Sequence, residues 1–337
     1  DLALVVVDEQ HRFGVEQRDA LRGKGSVPPH VLVMTATPIP RTVAMTVFGD
    51  LETSTLRELP AGRAPITTHV VPEDKPGWMA RTWARVAEEV RAGRQAYVVC
   101  PRIGDDDAPD EDTDLRAEPV DEDAADDAPP APARPLASVY AVHAALLEEP
   151  ALAGLSVEVL HGRLTPEQKD AVMGRFQRGE LDVLVSTTVV EVGVDVPNAS
   201  VMVVMDADRF GVSQLHQLRG RIGRGGHPGL CLLVTGTDAE ASMTRLTAVA
   251  ATTDGFELAR LDLSQRREGD ILGAAQHGRR TQLEFLHILQ DEDVIAAARE
   301  DAFALVADDP DLAAHPDLAA AVRARVDAEQ AAYLERG

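Results

Sequence analysis

Apolar and polar positions along this chain keep two rhythms in turn. Short runs rich in branched aliphatic residues recur at 2–7, 31–34, 95–100, 157–160, 183–186, 200–205 and 229–235. Helical spacing fills several of the intervals: one helix is predicted near 76–92, and another follows Thr165-Pro166-Glu167-Gln168. That tetrad reads as a capping box with proline at the first helical position, where a missing N–H leaves no bond unmade. Val172, Met173 and Phe176 then share one helix face, and Gly179 is a stop signal. Strand alternating with helix is what a parallel sheet requires, so the pattern predicts an α/β fold. Past residue 235 the rhythm turns helical. Thr237-Asp238-Ala239-Glu240 reads as a second capping box, ahead of a core face made by Met243, Leu246 and Ala250. Two amphipathic helices are predicted in the tail, at 293–306 and 316–333.

Punctuation divides the chain further. Pro60-Ala61-Gly62-Arg63 looks like a linker, which makes residues 1–60 the end of one α/β domain and 63–235 a second. Residues 236–337 form a mainly helical C-terminal region. Within the second domain, residues 104–135 are dense in Asp, Ala and Pro. Such a stretch cannot bury enough apolar surface to offset the cost of ordering, and it is predicted to be a disordered, solvated insert.

Charge then changes the picture. The net charge is −23, which taken alone argues against nucleic acid as a partner. Its distribution removes most of that objection. Residues 104–135 hold 13 acids against Arg116 and Arg134, and residues 290–317 hold 9 against Arg299. The rest is close to neutral, its cations concentrate at 209–224, and no acid occurs from Arg209 to Thr237. Local cations, not the overall balance, are what meet phosphate. Cys100 and Cys231 both lie in apolar strand-like runs and read as buried thiols. Neither a disulfide framework nor zinc spacing is present, and no apolar run is long enough to span a bilayer.

Two constellations carry chemistry. The first apolar run delivers Asp8 and Glu9 to its C-terminal end, beyond which ligands bind in open α/β sheets. One carboxylate of such a pair can hold Mg²⁺ while the other handles water; an acidic strand end that merely caps a helix is the plainer reading. The second constellation is Arg221 and Arg224, whose spacing predicts one shared helical face. Guanidinium grips phosphate bidentately, either on a transferring phosphoryl group or on a nucleic-acid backbone. Carboxylates and arginines together suggest a phosphoryl-transfer engine, a nucleic-acid motor. The loop that would cradle the phosphates is not recognisable: the one Gly-Lys pair, Gly23-Lys24, is followed by Gly25, and Arg18 stands where the first glycine should. With its opening in mid-strand at Asp1, the chain is expected to be the C-terminal part of a longer polypeptide that carries this loop upstream.

Five blocks, DEQHRFG at 8–14, TATPIPRT at 35–42, YVVCP at 97–101, STTVVEVGVDVP at 186–197 and QLHQLRGRIGR at 214–224, occur in one order. In this the chain resembles the RecG family of superfamily 2 DNA helicases over nearly its whole length. The resemblance implies RecA-like motor domains, the end of the first and all of the second, with a wedge domain lying upstream. It also implies roles for individual residues. Asp8 would bind Mg²⁺ mostly through water, Glu9 would orient or activate the attacking water, and Gln10 and His11 would couple to the γ-phosphate. Arg221 and Arg224 would act as arginine fingers, with Gly193, Asp195, Gln217 and Gly220 on the nucleotide side. Thr35, Thr37, Thr187, Thr188, Glu191 and Arg219 would contact DNA or couple to it. FELARLDLSQRREGDILGAAQHG, at 256–278, resembles the family's translocation motif, with Arg266 and Gln276 at its functional positions. It departs from the usual Arg-Gly-Pro-Gly by reading Arg267-Glu268-Gly269 after Arg266.

As a whole, the resemblance implies an ATP- and Mg²⁺-dependent helicase acting on branched double-stranded DNA such as stalled forks and Holliday junctions. A bacterial cytoplasmic, nucleoid-associated monomer with a single-stranded DNA-binding protein as a further partner is the matching expectation. A transcription-repair coupling factor is the nearest alternative enzyme. A non-catalytic nucleic-acid-binding remnant is the alternative from another class.

Overall fold

The structure is a computed structural model that describes residues 2–8, 29–35, 54–56, 64–104, 136–191, 195–265 and 291–325. It falls into two compact units, one formed by Asp1–Ser54 with Leu263–Gly337 and one by Thr55–Asp262. In the first unit, β1 (Leu4–Val7) pairs in parallel with β2 (His30–Val33), Val7 opposite Val33. Both strands therefore finish at the same edge.

The second unit is built on a six-stranded, wholly parallel sheet. In chain order it comprises β3 (Ile66–Pro72), α1 (Trp78–Arg91), β4 (Gln95–Val99), α2 (Val139–Glu148), β5 (Val157–Leu160), α3 (Pro166–Gln177), β6 (Val183–Ser186), β7 (Ala199–Val204), α4 (Val212–Arg219) and β8 (Gly229–Thr235). The strands lie in the order β3-β8-β7-β4-β6-β5. Every residue of β4, β6 and β7 is buried, because helices cover both faces, and this is why these runs read as continuously apolar. On one face Phe176, Leu184, Met202, Leu215, Leu218 and Leu246 join in one core. On the other, Trp83, Val86, Val98, Leu146 and Val203 form a second. Each such side chain contributes about 1.5–3 kcal/mol by leaving water.

Two elements are new relative to the sequence pattern. β3 is an edge strand, paired only with β8, and Thr68 and His69 break its apolar run. α2 follows directly on residues 105–135 and is capped by Ser138, whose Oγ accepts from the Ala141 N–H at 3.3 Å. The predicted insert itself lies outside the described residues apart from Gly104.

Capping resolves differently at the two predicted boxes. At α3 the box forms: the Gln168 N–H donates to Thr165 Oγ1 at 3.3 Å, and the Thr165 N–H to Gln168 Oε1 at 2.9 Å. Gly179 takes φ 75° and ends that helix, as expected. The second box does not form. The Ala239 N–H donates to Thr237 Oγ1 at 3.2 Å and the Thr237 N–H to Thr235 Oγ1 at 3.2 Å, so turns hold this stretch and α5 starts only at Glu240 (Glu240–Ala251). Its buried face is accordingly Ser242, Leu246 and Val249. After it comes α6 (Gly255–Gln265), whose Leu258 enters the same core as Leu246. The tail holds α7 (Glu292–Asp308) and α8 (Pro316–Arg325), joined where the Asp309 carboxylate accepts from the Ala313 and Ala314 N–H groups. Those two bonds, the Ala314 one foremost, keep that carboxyl below its usual range.

Candidate functional site

Asp8 directly follows β1 and is exposed, and half-buried Thr35 lies just past the end of β2. Parallel pairing thus brings these two candidates to one strand edge, where an open sheet presents its ligands. Glu9, Gln10, His11 and Thr37 lie outside the described residues. Among the described residues there is no cluster of three or more His, Cys, Asp or Glu that could hold a metal ion. An exposed aspartate suits Mg²⁺ of the kind that takes one or two carboxylates, keeps its waters and finds its other ligands on substrate phosphates.

In the second unit, Thr187 and Thr188 are half-buried at the end of β6. A short 3₁₀ turn, Thr188–Glu191, packs there on α4. The side chain of Glu191, together with Gly193, Arg266 and Gln276, lies outside the described residues.

The arginines sit on a turn, not on a helix. α4 ends at Arg219 with Gly220 as its cap, and the chain then loops through Gly223 at φ 73°. Arg221 and Arg224 therefore do not share a helical face, because the left-handed Gly223 between them breaks the period. The cause is local packing. Gly223 donates to the Ala199 carbonyl at 3.3 Å and accepts from the Ala64 N–H at 3.4 Å, and a Cβ there would lie 3.2 Å from Ile66. A Cβ on Gly225 would lie 2.2 Å from the Pro197 carbonyl oxygen, a contact only glycine permits. The turn is thus clamped between the entries to β3 and β7. So placed, Arg224 Nε donates to the Gly220 carbonyl at 3.0 Å, and its Nη1 lies 3.4 Å from Asp195 Oδ1. With side chains 34% and 58% exposed, this pair is a surface contact that contributes little stability and can exchange partners.

Buried Tyr97, in the middle of β4, lies within the field of the same groups. Burial pushes its phenol well above the usual range, Arg221 and Arg224 oppose that shift, and Asp195 adds to it. Asp195, Arg221 and Arg224 are therefore brought together, although Asp195 is distant from the arginines in sequence. Gln217 and Gly220 lie on α4 and its cap beside them.

Arg219 points the other way. It is 2% exposed; its Nη1 donates to the Val249 carbonyl at 2.5 Å and meets Thr68 Oγ1 at 3.5 Å, while Nη2 lies 3.0 Å from His216 Nδ1. It ties α4 to α5 and β3, so its reading as a DNA contact gives way to an internal brace. Gly225 is a positioning residue that sequence reasoning passed over; its one trace was the pair Gly225-Gly226 after an arginine, and Pro197, against which it packs, was read only as the end of a motif block.

A six-stranded parallel sheet covered on both faces by helices, with a glycine-clamped arginine turn beside an aspartate, is an α/β fold of the RecA-like helicase kind. The family of helicase conserved C-terminal domains matches residues 137–226. By sequence, the chain belongs to the RecG family. The ATP-dependent DNA helicase RecG of Mycobacterium bovis is 56% identical over 304 residues, covering 89% of this chain and 39% of that protein. RecG of Mycobacterium leprae is 52% identical over 340 residues, covering 99% of this chain and 43% of that protein. A solved structure of RecG bound to a three-way DNA junction superposes with a TM-score of 0.59 at 37% identity, over 88% of this chain and 34% of that one. The chain thus spans about two fifths of the length of the curated relatives it matches.

Proposed function

We propose that this chain supplies the arginine side of the ATP site, and much of the DNA-moving apparatus, of an ATP-dependent helicase that remodels branched double-stranded DNA. The observation that carries the reading is the clamped 220–226 turn, which holds Arg224 beside Asp195 and carries Arg221 three residues earlier. In this reading both arginines stabilise charge on the transferring phosphoryl group, and Asp195 meets the ribose. Gly193, Gln217 and Gly220 shape the nucleotide side. Arg224 leaves Asp195 for phosphate when nucleotide arrives, an exchange that a weak surface pair allows. Asp8 is the residue to hold Mg²⁺, mostly through water, and the ion would neutralise developing phosphate charge. Glu9 positions water, and Gln10 and His11 couple nucleotide state to movement. Thr35, Thr37, Thr187, Thr188 and Glu191 contact the DNA backbone without reading sequence, as a translocating enzyme requires. The solved relative's three-way junction supports branched DNA as the substrate class.

The same reading takes residues 1–60 as the end of motor domain 1, 63–235 as motor domain 2 and 236–337 as the translocation region. It further makes the protein a monomer of the bacterial cytoplasm at the nucleoid, with a single-stranded DNA-binding protein as a further partner. Among the described residues no helix is long and apolar enough to cross a membrane. The test is Arg221→Ala and Arg224→Ala in the intact helicase. Each is expected to lower DNA-stimulated ATP turnover at least about a hundredfold, with DNA affinity nearly unchanged. Lost DNA binding with retained turnover would move both arginines to the DNA backbone and overturn the assignment.

A further inference from the structure

The arginine turn rests on the segment 195–199, and that segment has an anchor of its own. Its Pro197 carbonyl is the surface against which Gly225 packs, and its Ala199 carbonyl accepts from the Gly223 N–H at 3.3 Å. Asp195, the partner of Arg224, belongs to it as well. Whatever fixes this segment therefore fixes the aspartate and the seat of the turn together.

Asn198 does so with its side-chain amide. The Nδ2 group donates to the Gly93 carbonyl at 2.8 Å, in the turn that leaves α1, and lies 3.4 Å from Gln95 Oε1. Backbone closes the same link, because the Gln95 N–H donates to the Asn198 carbonyl at 3.1 Å. Gln95 is 3% exposed, and its Nε2 donates to the Phe176 carbonyl at 2.6 Å and to the Leu181 carbonyl at 2.7 Å. Each amide nitrogen thus faces oxygen acceptors, which selects one orientation for both side chains. A buried amide is tolerated when it is satisfied in this way, and a satisfied network stiffens what it joins. The strands make room for the link. Gln95 pairs with Ala199 but Ala96 pairs with Val201, so β7 carries one extra residue at this step. Irregularities of that kind bend a strand end and re-aim the chain that enters it.

We propose that Asn198 is a positioning residue of the nucleotide site: its bonds to Gly93 and Gln95 hold the segment on which the arginine turn rests. It acts on the arginines through Pro197 and Ala199. The proposal builds on the reading that Arg224 serves ATP turnover, and the two are separable by experiment.

The test is Asn198→Asp in the intact helicase. That substitution keeps the shape, removes both donors and sets a carboxylate against the Gly93 carbonyl. Asn198→Ala, which adds no charge, is run beside it, with activity measured well below the melting temperature of each variant. Hydrogen exchange read by mass spectrometry should quicken at 220–226, where the Gly223 N–H is bonded, and stay unchanged in β6. DNA-stimulated ATP turnover should lose at least about tenfold in kcat. In an Arg224→Ala background the same substitution should cost no more than about threefold, because the turn it positions has already lost its function. Unchanged exchange at 220–226 would overturn the proposal. So would an equal loss of kcat in both backgrounds, the mark of a general structural defect. If Arg224→Ala alone keeps full turnover, the assignment of the ATP site fails instead, and the exchange measurement still decides whether Asn198 holds the turn.

Discussion

Three arginines of one short segment, Arg219, Arg221 and Arg224, have separate fates, and substitution should separate them. Arg219 is buried and bonded to Val249 and Thr68. Arg219→Ala strands a buried carbonyl and is expected to cost about 1–3 kcal/mol of stability in denaturant unfolding. Arg219→Lys should rescue little, since a point charge cannot reach both partners. Arg224→Ala, on the surface, should stay within about 0.5 kcal/mol of the parent. The two free cysteines give a pH prediction. Burial pushes the Cys231 thiol up to about 12, against a modest opposing effect of Arg219. The folded thiol therefore holds its proton more tightly than the unfolded one. The stability it provides is complete below the unfolded thiol's titration, near roughly 8.5, and is lost as pH rises from there toward the folded value. Cys231→Ala should flatten that alkaline decline in a series of urea titrations.

At the scale of elements, the arginine turn is held by absent side chains. Gly225→Ala would put a methyl group against the Pro197 carbonyl, a contact that backbone must move to relieve. The expected result is a displaced turn: a lower melting temperature together with a loss of ATP turnover approaching that of Arg224→Ala. Gly226→Ala is the comparison, because a Cβ there meets nothing within 4 Å and only the φ of 78° opposes it. α3 offers a calibration, since Thr165→Ala removes a complete capping box and should cost about 1 kcal/mol. The corresponding change at Thr237 removes a turn contact, not a helix cap, and should cost less.

For the molecule as a whole, the 337-residue chain contains no Gly-x-x-x-x-Gly-Lys-Ser/Thr stretch. By itself it is expected to show no DNA-stimulated ATP turnover, because the roles proposed for Asp8, Arg221 and Arg224 require a cradled triphosphate. Phosphate release measured with a branched DNA decides this, and robust turnover by the chain alone would refute it. In the intact helicase, Arg266→Ala is expected to uncouple: most ATP turnover stays while most fork unwinding goes. A packing role would lower both activities and the melting temperature together.

What could be read from residues alone was whatever periodicity and short motifs encode. Central strands such as β4 and β6 carry continuous apolar runs because both their faces are covered, and α3 announces its start with its own cap. Asp8, Arg221, Arg224 and Asp195 were legible as motif members for the same local reason. The edge strand β3 was not, because an edge needs apolar residues on only part of its length, and Thr68 and His69 blurred the run. The helical face expected for Arg221 and Arg224 failed because Gly223 and Gly225 are committed to contacts with Ile66 and Pro197, residues far away in sequence. Arg219 was misread because a guanidinium looks solvated until α5 and β3 are folded over it. The sequence by itself determined the central strands, most of the helices and the family, whereas the edge strand β3, helix α2 and the strand order came only with the fold. Only the tertiary structure decided which arginines face solvent and which face inward, because burial and backbone clamping arise from contacts between distant segments that no local pattern contains.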